Sequence, residues 1–308
     1  MSRKGWLLFI LLCVIWGIPY LLIRVAVREL PPPALVFLRT APAALLLVPL
    51  ALHRRELRPL FARWRWVVAY TVVELAIPWL LLSHAEQRIS SSLAGLLVAA
   101  VPLMAAVLYR ALGAGEHFDA RRLMGLFIGF AGVAALVGID ISGTDPLAVV
   151  EMLIVALCYA TGPLVISRRL AGLPTLGVIT ASLALTAVGY APAGLLSMPA
   201  SVSAETVGAV ATLSLVCTVL AFLLFFALIR EVGPSRSTVI TYVNPLVAVL
   251  LGIVILSEPL TLGIAVGMPL ILVGSLLGTA PALKKARATP GERSPDRATD
   301  ASASPPTP

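Results

Sequence analysis

Long apolar segments follow one another along almost the whole chain, and short stretches rich in charge, proline or glycine separate them. A helix needs about 20 apolar residues to cross the hydrocarbon core of a bilayer. Helices also satisfy their own backbone hydrogen bonds in the absence of water. The pattern therefore predicts an all-α, polytopic membrane protein with ten transmembrane helices, at residues 5–27, 33–52, 66–85, 91–111, 121–139, 146–167, 174–197, 206–229, 235–256 and 261–281.

The composition agrees with a chain embedded in lipid. Hydrophobic residues make up 59% of the chain and charged residues only 12%, against about half and about a quarter in soluble domains. The formal net charge of +8 would favour nucleic-acid binding in a soluble protein, but no nucleic-acid-binding motif is present, so we expect no nucleic-acid partner. The three cysteines lack the spacing of metal ligands or of a disulfide framework, and we expect neither a metal nor a cofactor.

Basic residues are distributed very unevenly between the two sets of loops. If the N-terminus faces the cytoplasm, all but four of the 23 Lys and Arg residues fall in cytoplasmic segments; the exceptions are Arg24, Arg28 and Arg88 outside and Arg39 within a span. Cytoplasmic loops of membrane proteins are enriched in Lys and Arg. The distribution therefore predicts a multi-pass protein of the plasma (inner) membrane with both termini in the cytoplasm.

Two distant parts of the chain carry the same ordered set of residues. The matching pairs, which lie 142 or 143 positions apart, are Trp16 and Tyr159, Ser92 and Ser235, Pro102 and Pro245, Glu116 and Glu258, and Gly132 and Gly274. An offset held over this length indicates two copies of one unit. Because each copy holds five spans, an odd number, the second copy must enter the membrane from the opposite face. We predict two inverted five-helix repeats at 1–139 and 140–283, and a disordered cytoplasmic tail at 284–308.

This ordered set resembles the drug/metabolite transporter superfamily, and in particular its ten-helix EamA-type permeases. The resemblance covers about residues 5–281 and rests on Trp16-Gly17, Arg39, Ser90-Ser91-Ser92, Pro102, Glu116, Pro234-Ser235, Pro245 and Ser257-Glu258-Pro259-Leu260-Thr261. The first span departs from the family pattern, since Gly17 is followed by Ile18-Pro19 where the family usually has a small polar residue and Asn. The resemblance implies export or exchange of small organic solutes such as amino acids.

The sequence therefore favours a secondary-active transporter that moves a small organic metabolite by alternating access, with proton coupling left open. The expected partners of the transporter are this small organic metabolite and the lipid bilayer. No ATP-binding Walker motif is present. A membrane-embedded enzyme would need a nucleophile–base set or metal ligands at membrane depth. The three histidines are scattered near loops instead, so we expect no enzyme. The other alternative is a non-transporting scaffold or receptor, which would be packed where a transporter has a pocket.

Two charged residues inside the predicted spans are candidates for function. Glu74 is near the middle of span three, and Arg39 lies in span two. Charges inside a membrane are costly, and they commonly mark functional sites. The two positions differ in depth by about 7 Å at helical rise, which an Arg side chain can bridge. Glu74 is therefore predicted either as a proton-coupling or substrate-binding carboxylate, or as the partner of Arg39 in a structural ion pair.

Four further residues are candidates for the substrate cavity. Trp16 and Tyr159 occupy equivalent repeat positions near the middle of spans one and six. They either line a cavity through stacking and cation–π contacts or pack in the interior. Tyr242 and Asn244 precede Pro245, which removes a backbone hydrogen bond and frees a carbonyl. These two residues either bind substrate, or Asn244 satisfies the freed backbone.

Prolines and two loop-end residues complete the set of candidates. Kinks at proline let a bundle bow around a cavity and flex. His84 is expected to be a lone polar anchor near the outer interface, and Glu258 to end one helix beside the N-terminus of the next. The predicted hinge or kink positions are Pro19, Pro78, Pro102, Pro163 and Pro245.

Glycines repeat at the spacing that lets membrane helices approach closely. The motifs are Gly125-x-x-x-Gly129, Gly263-x-x-x-Gly267 and Gly274-x-x-x-Gly278. They predict tight packing either within one chain or across a homodimer.

Overall fold

The computed structural model describes residues 2–113, 120–139, 145–233 and 240–279. Glu116, Pro234, Ser235 and the predicted tail at 284–308 lie outside these residues. The described chain forms ten apolar helices and no strand, which confirms the predicted fold class. The helices are α1 Arg3–Ala26, α2 Pro32–His53, α3 Arg58–Ala85, α4 Ser91–Ala111, α5 Ala120–Ile139, α6 Pro146–Arg169, α7 Thr175–Leu196, α8 Ala204–Val232, α9 Ile240–Leu256 and α10 Leu262–Thr279.

Small polar residues begin several of these helices, because the first backbone N–H groups of a helix have no partner within it. The Ser2 side chain accepts a hydrogen bond from Gly5 N at the start of α1. The Asp145 side chain does the same for Leu147 N and Ala148 N at the start of α6. Ser2 and Asp145 lie 143 positions apart, so the two repeats begin with equivalent caps.

Equivalent helices of the two repeats run in opposite directions. Gly177, near the start of α7, lies against Glu56, which follows α2. Gly194, near the end of α7, lies against Phe37 near the start of α2. These two contacts show that α2 and α7 are antiparallel, as an inverted repeat requires.

The helices α5 and α10 form the second antiparallel pair of equivalent helices. Gly132 lies against Gly267 O, and Gly274 lies against Gly125 O. Each of these glycines has its repeat equivalent in the other contact, so a pseudo-two-fold axis passes between the helices. The close packing predicted from the glycine motifs therefore occurs within one chain at these positions, and it joins the two repeats.

The remaining packing follows the same symmetry. Helix α1 packs against α8 and α9, and its equivalent α6 packs against α3 and α4. Two clusters of buried apolar side chains fill the bundle, and Tyr159 packs against both. Large apolar side chains such as Leu45, Phe127 and Val188 are exposed on its outside, as a surface facing lipid tails requires.

The bundle has two ends that the following sections distinguish by name. The N-terminal face carries Ser2, together with the loop at 54–57 and the loop at 170–174. The far face carries the loops at 27–31, 86–90, 197–203 and 257–261, together with Asp145. Hydrogen bonds join the repeats on both faces: Glu56 Oε2 accepts from Gly177 N on the first, and Glu29 Oε2 accepts from Ser203 N on the second.

Candidate functional site

Glu74 lies midway along α3 in a wide, π-helical turn at Val72–Ala76. Gly162 of α6 faces it, and a Cβ atom at position 162 would lie 1.7 Å from Glu74 Oε2. The missing side chain at Gly162 therefore makes the space that the carboxylate occupies. Glu74 Oε2 is buried and has no hydrogen-bond partner. Because burying an unpaired charge is costly, this carboxylate is suited to take up a proton or a donor group of a solute.

Arg39 of α2 is buried, but it does not pair with Glu74. None of the ion pairs among the described residues joins the two side chains. The Arg39 guanidinium lies over the Trp79 ring, with Cζ 3.7 Å from the ring centroid, and Nε donates to Thr218 Oγ1 at 3.2 Å. The structural ion pair considered from the sequence is therefore absent. Similar depth in two helices does not fix the direction in which each side chain points.

A second wide turn holds Arg39 in place. It spans Leu215–Leu220 in α8 and begins 143 positions after the turn at Val72–Ala76. Thr218, within it, donates from its hydroxyl to Leu213 O at 2.8 Å and accepts from Arg39. Wide turns inside helices are frequent at functional sites. One repeat-equivalent turn thus carries the buried acid and the other anchors the buried base, which the sequence pattern did not indicate.

The repeat-equivalent aromatic residues both lie inside the bundle. The Trp16 ring packs against Phe225 and Phe222 of α8, at centroid distances of 4.9 and 6.1 Å. Tyr159 packs against both apolar clusters and lies within electrostatic range of Glu74 and Arg39. The structure therefore brings Glu74, Arg39 and Tyr159 together, with Trp16 beside α8.

Asn244 and Tyr242 lie in other contacts. With its amide nitrogen facing α1, Asn244 donates to Cys13 O at 3.3 Å and to Ile240 O at 3.1 Å. The Tyr242 hydroxyl lies 3.5 Å from Ser275 O of α10. The contacts of Asn244 agree with the structural alternative, although Ile240 O lies one residue before the carbonyl that Pro245 frees. Asn244 thus contacts α1 and its own helix, and Tyr242 contacts α10.

The predicted hinge prolines fall into two groups. Pro102 follows a break in α4 between Ser91–Val98 and Val101–Ala111, and Pro78 follows the wide turn of α3. The others lie within continuous helix: Pro19, Pro163 and Pro245. Four further prolines inside helices were not singled out from the sequence: Pro42, Pro49, Pro192 and Pro269.

His84 is not the lone polar anchor expected from the sequence. Its Nδ1 lies 2.6 Å from Glu151 Oε1 of α6. Arg88 pairs with the same carboxylate through Nη2 and with Asp145 Oδ2 through Nε at 3.5 Å. The end of α3 and the start of α6 lie side by side on the far face, so residues far apart in sequence become partners. Glu151 was missed, although it is a carboxylate within an apolar span.

The N-terminal face carries the repeat-equivalent contact. Ser2 Oγ donates to Glu231 Oε1 at 2.5 Å, which joins the start of α1 to the end of α8. Ser2 lies 143 positions before Asp145, and Glu231 lies 143 positions after Arg88. Each face thus carries a contact between the repeats at equivalent positions, in addition to the hydrogen bonds of Glu56 and Glu29. We refer to Arg88–Asp145 and Ser2–Glu231 as the two inter-repeat contacts.

Glu258 binds a helix N-terminus, but not that of the following helix as expected. Its carboxylate accepts hydrogen bonds from Ser91 N at 2.8 Å and Ser92 N at 3.0 Å, at the start of α4. Both serine hydroxyls donate to it as well. Thr261 begins α10 instead, through a hydrogen bond from Ile264 N. The prediction was wrong about the helix because the loop after α9 folds over α4.

The surface cavities among the described residues include two that lie away from Glu74 and Arg39. One of about 500 Å³ lies between α1, α8 and α9 near the far face, and Arg28 and Glu205 line it. The other, of about 420 Å³, is an apolar groove between α2 and α7. Neither cavity is lined by Glu74, Arg39, Trp16 or Tyr159.

A family comparison matches this architecture of two repeats. The profile of the EamA-like transporter family matches residues 3–138 and, a second time, residues 146–279. The chain belongs to the EamA-like transporter family. Members have a ten-helix, two-repeat fold, in agreement with the helices described above. The family assigned from the ordered motifs is thereby confirmed.

Individual relatives agree with the family. The chain is 30% identical over 254 residues to the "uncharacterized inner membrane transporter YedA" of Escherichia coli (strain K12), covering 78% of this chain and 79% of the relative. It is 25% identical over 287 residues to the "uncharacterized transporter YvbV" of Bacillus subtilis (strain 168), covering 92% and 94%. These names point to a membrane transporter rather than to an enzyme.

One solved structure has the same fold. It is described as "Crystal structure of protein" and superposes with a TM-score of 0.62 at 22% sequence identity. The match covers 91% of this chain and 98% of the other. The likeness shows the fold.

Proposed function

We propose that this EamA-family protein is a secondary-active transporter that exports or exchanges a small organic metabolite by alternating access. The observation that carries the proposal is the pair of inter-repeat contacts, Arg88–Asp145 on the far face and Ser2–Glu231 on the N-terminal face. Inverted repeats make the inward-open and outward-open states near mirror images of each other. Switching between these two states needs equivalent contacts on opposite faces.

In the proposed cycle, each contact closes one face. Opening the far face separates the end of α3 from the start of α6, so that Arg88 leaves Asp145 and Glu151. Opening the other face separates the start of α1 from the end of α8, so that Ser2 leaves Glu231. In this proposal the moving units are the repeats at 1–139 and 140–283.

The proposed solute site lies around Glu74, Arg39 and Tyr159, which neither of the two cavities reaches, so in this proposal the site becomes accessible only when one face opens. Glu74 Oε2 has no partner and can accept a hydrogen bond from an ammonium group. Arg39 is a buried cation whose Nε donates to Thr218 Oγ1, and guanidinium groups bind carboxylates well. One acid and one base beside an aromatic ring suit a zwitterionic solute such as an amino acid.

We further propose that both termini face the cytoplasm of a plasma-membrane protein. The uneven distribution of Lys and Arg over the loops supports this orientation. The far face would then open to the outside of the cell.

Transport into reconstituted vesicles tests the proposal. Amino acids and cationic drugs are screened for movement by the wild-type protein, with and without a pH gradient. We expect at least one solute to move faster than in empty vesicles, and Glu74→Gln to slow it and to remove its dependence on the gradient. Glu205→Gln, which alters an exposed carboxylate of the far face, is the matched control and is expected to behave like the wild type.

Two results would contradict different parts of the proposal. A Glu74→Gln variant with wild-type rate and wild-type response to the gradient removes Glu74 from coupling. Solute binding in detergent, without movement in vesicles for any solute that binds, would favour the scaffold or receptor alternative.

A further inference from the structure

Glu86 follows α3 directly and lies in the loop at 86–90 on the far face. Its side chain is nevertheless 0% exposed. Neither carboxylate oxygen has a hydrogen-bond partner in the structure. A loop carboxylate normally points into water, so complete burial without a partner calls for an explanation.

The groups around Glu86 do not neutralise it as a carboxylate. Arg24 of α1 is close, but its Nη1 donates to the backbone oxygen of Glu86 rather than to the carboxylate. Glu258 is also within electrostatic range, and its negative charge opposes a second one nearby. Arg39 of α2 and Tyr20 of α1 also interact electrostatically with Glu86.

Glu258 differs from Glu86 in a way that assigns a charge state to each. The Glu258 carboxylate is saturated by donors from Ser91 and Ser92, which suit its charged form. Glu86 has no such donors. Burial raises the pKa of Glu86 well above its usual range, and Glu258 adds to this, while Arg24 and Arg39 act in the opposite direction.

We propose that Glu86 is a proton-binding site of the far face, filled in the conformation described here and emptied when that face opens. This inference rests on the proposed transport function and adds a second acid to the one at Glu74, twelve residues earlier on α3. In the closed form the side chain is a neutral carboxylic acid. When water enters, the O–H bond breaks, the proton passes to water, and the carboxylate that remains is hydrated.

The consequence for transport is a link between far-face opening and proton release. Closing that face again requires Glu86 to take a proton from the solution, because a charged carboxylate would be buried without donors. Proton uptake would thereby favour the closed far face, and a high pH on that side would favour the open one.

Infrared spectroscopy of the purified protein in lipid nanodiscs tests this directly, without a substrate. The protonated-carboxyl C=O band is recorded at pH 7 for the wild type and for Glu86→Gln. We expect the variant to lose one component of that band. Glu205→Gln, an exposed glutamate of the same face, is the matched control and is expected to leave the band unchanged.

Glu86→Asp is the second variant, since it keeps a carboxyl group and is expected to shift the component rather than remove it. Thermal melting supplies an independent readout. The pKa of Glu86 is higher in the folded state than in the unfolded chain. The folded state therefore loses stability as the pH rises from the unfolded-state pKa, about 4.3, to the folded-state pKa. The melting temperature of the wild type is therefore expected to fall relative to that of Glu86→Gln over this pH range. The difference between the two melting temperatures is expected to vanish at lower pH.

An identical band in the wild type and Glu86→Gln at pH 7, or an unchanged component in Glu86→Asp, would overturn the proposal. These spectra do not depend on transport. A negative transport screen with the expected spectra would therefore refute the proposed function while leaving the proton site in place.

Discussion

Replacing Gly274 with alanine tests whether the two repeats meet along α5 and α10. A Cβ at position 274 would lie 2.3 Å from Gly129 N and 2.4 Å from Gly129 Cα, whereas ordinary contacts begin at 3.4 Å. The atoms that it meets belong to the backbone of α5 and cannot rotate away. The two helices must therefore separate locally by about 1 Å, in an interior packed as densely as a crystal.

The expected cost follows from two opposing effects. Overpacking a close-packed site costs about 1–3 kcal/mol. Alanine is a better helix former than glycine, and this offsets up to about 1 kcal/mol of the overpacking cost. We expect Gly274→Ala to lower the free energy of unfolding by about 1–2 kcal/mol, because relaxation of backbone atoms is limited.

Unfolding by SDS in mixed micelles, followed by circular dichroism, measures this difference. Gly189→Ala is the matched control, since a Cβ at position 189 of α7 meets no atom within 4 Å. It is expected to be neutral or slightly stabilising. A Gly274→Ala variant as stable as Gly189→Ala would refute the close contact between the repeats along this helix pair.

Three further substitutions test separate contacts. Glu258→Gln places an amide N–H against the serine donors of α4. We expect this variant to lower the free energy of unfolding by about 1–3 kcal/mol in the same SDS titration. An unchanged free energy of unfolding would contradict the cap. Glu151→Gln removes the negative charge that faces Arg88. A cysteine at a nearby far-face position is then expected to react faster with a membrane-impermeant thiol reagent. An unchanged reaction rate would argue against a role for Glu151 in closing the far face. The hydrogen bond from Ser203 N lowers the pKa of Glu29 in the folded state. The stability that the Glu29 carboxylate contributes is therefore present above the unfolded-state pKa, about 4.3. It is lost as the pH falls through the lowered folded-state pKa. The gap in melting temperature between the wild type and Glu29→Gln should therefore narrow on acidification, and a gap that widens would contradict this.

The helices and their pairing symmetry could be predicted from the sequence because both depend on patterns along the chain. The length of an apolar run fixes whether a helix can span the bilayer. The 143-position offset between Trp16 and Tyr159, together with five spans per repeat, fixes the inversion. Neither inference needs the direction of a side chain.

The site was harder to predict because it depends on directions and on contacts between distant segments. Depth along a helix placed Arg39 within reach of Glu74, but Arg39 faces Trp79 and Thr218 while Glu74 faces Gly162. The wide turns that carry Glu74 and Thr218 have no sequence signature.

Two contacts on the far face were missed for the same reason, although one had a usable signal. The loop that brings Glu258 to α4 gives no local pattern for that partner. Glu151 is different, since a carboxylate within an apolar span is as costly as Glu74, and the same argument applied to it would have predicted a partner. Its partners proved to be His84 and Arg88.

Locking the two inter-repeat contacts with a reducible thiol cross-linker tests alternating access most directly. The background is a variant in which the natural cysteines are replaced by alanine: Cys13, Cys158 and Cys217. One variant carries Arg88→Cys with Asp145→Cys on the far face, and another carries Ser2→Cys with Glu231→Cys on the N-terminal face. Because the observed contacts run through long side chains, a bifunctional methanethiosulfonate reagent of matching length joins the two thiols of each pair. Each single-cysteine variant serves as its control, because it cannot form the intramolecular bond.

Exchange of a transported solute across vesicles is measured before cross-linking, after cross-linking and after reduction of the cross-link. We predict that a cross-link at either face alone stops exchange, and that reduction restores it, since the cycle must open both faces in turn. Exchange that continues at the unlinked rate with either face fully cross-linked would contradict the mechanism.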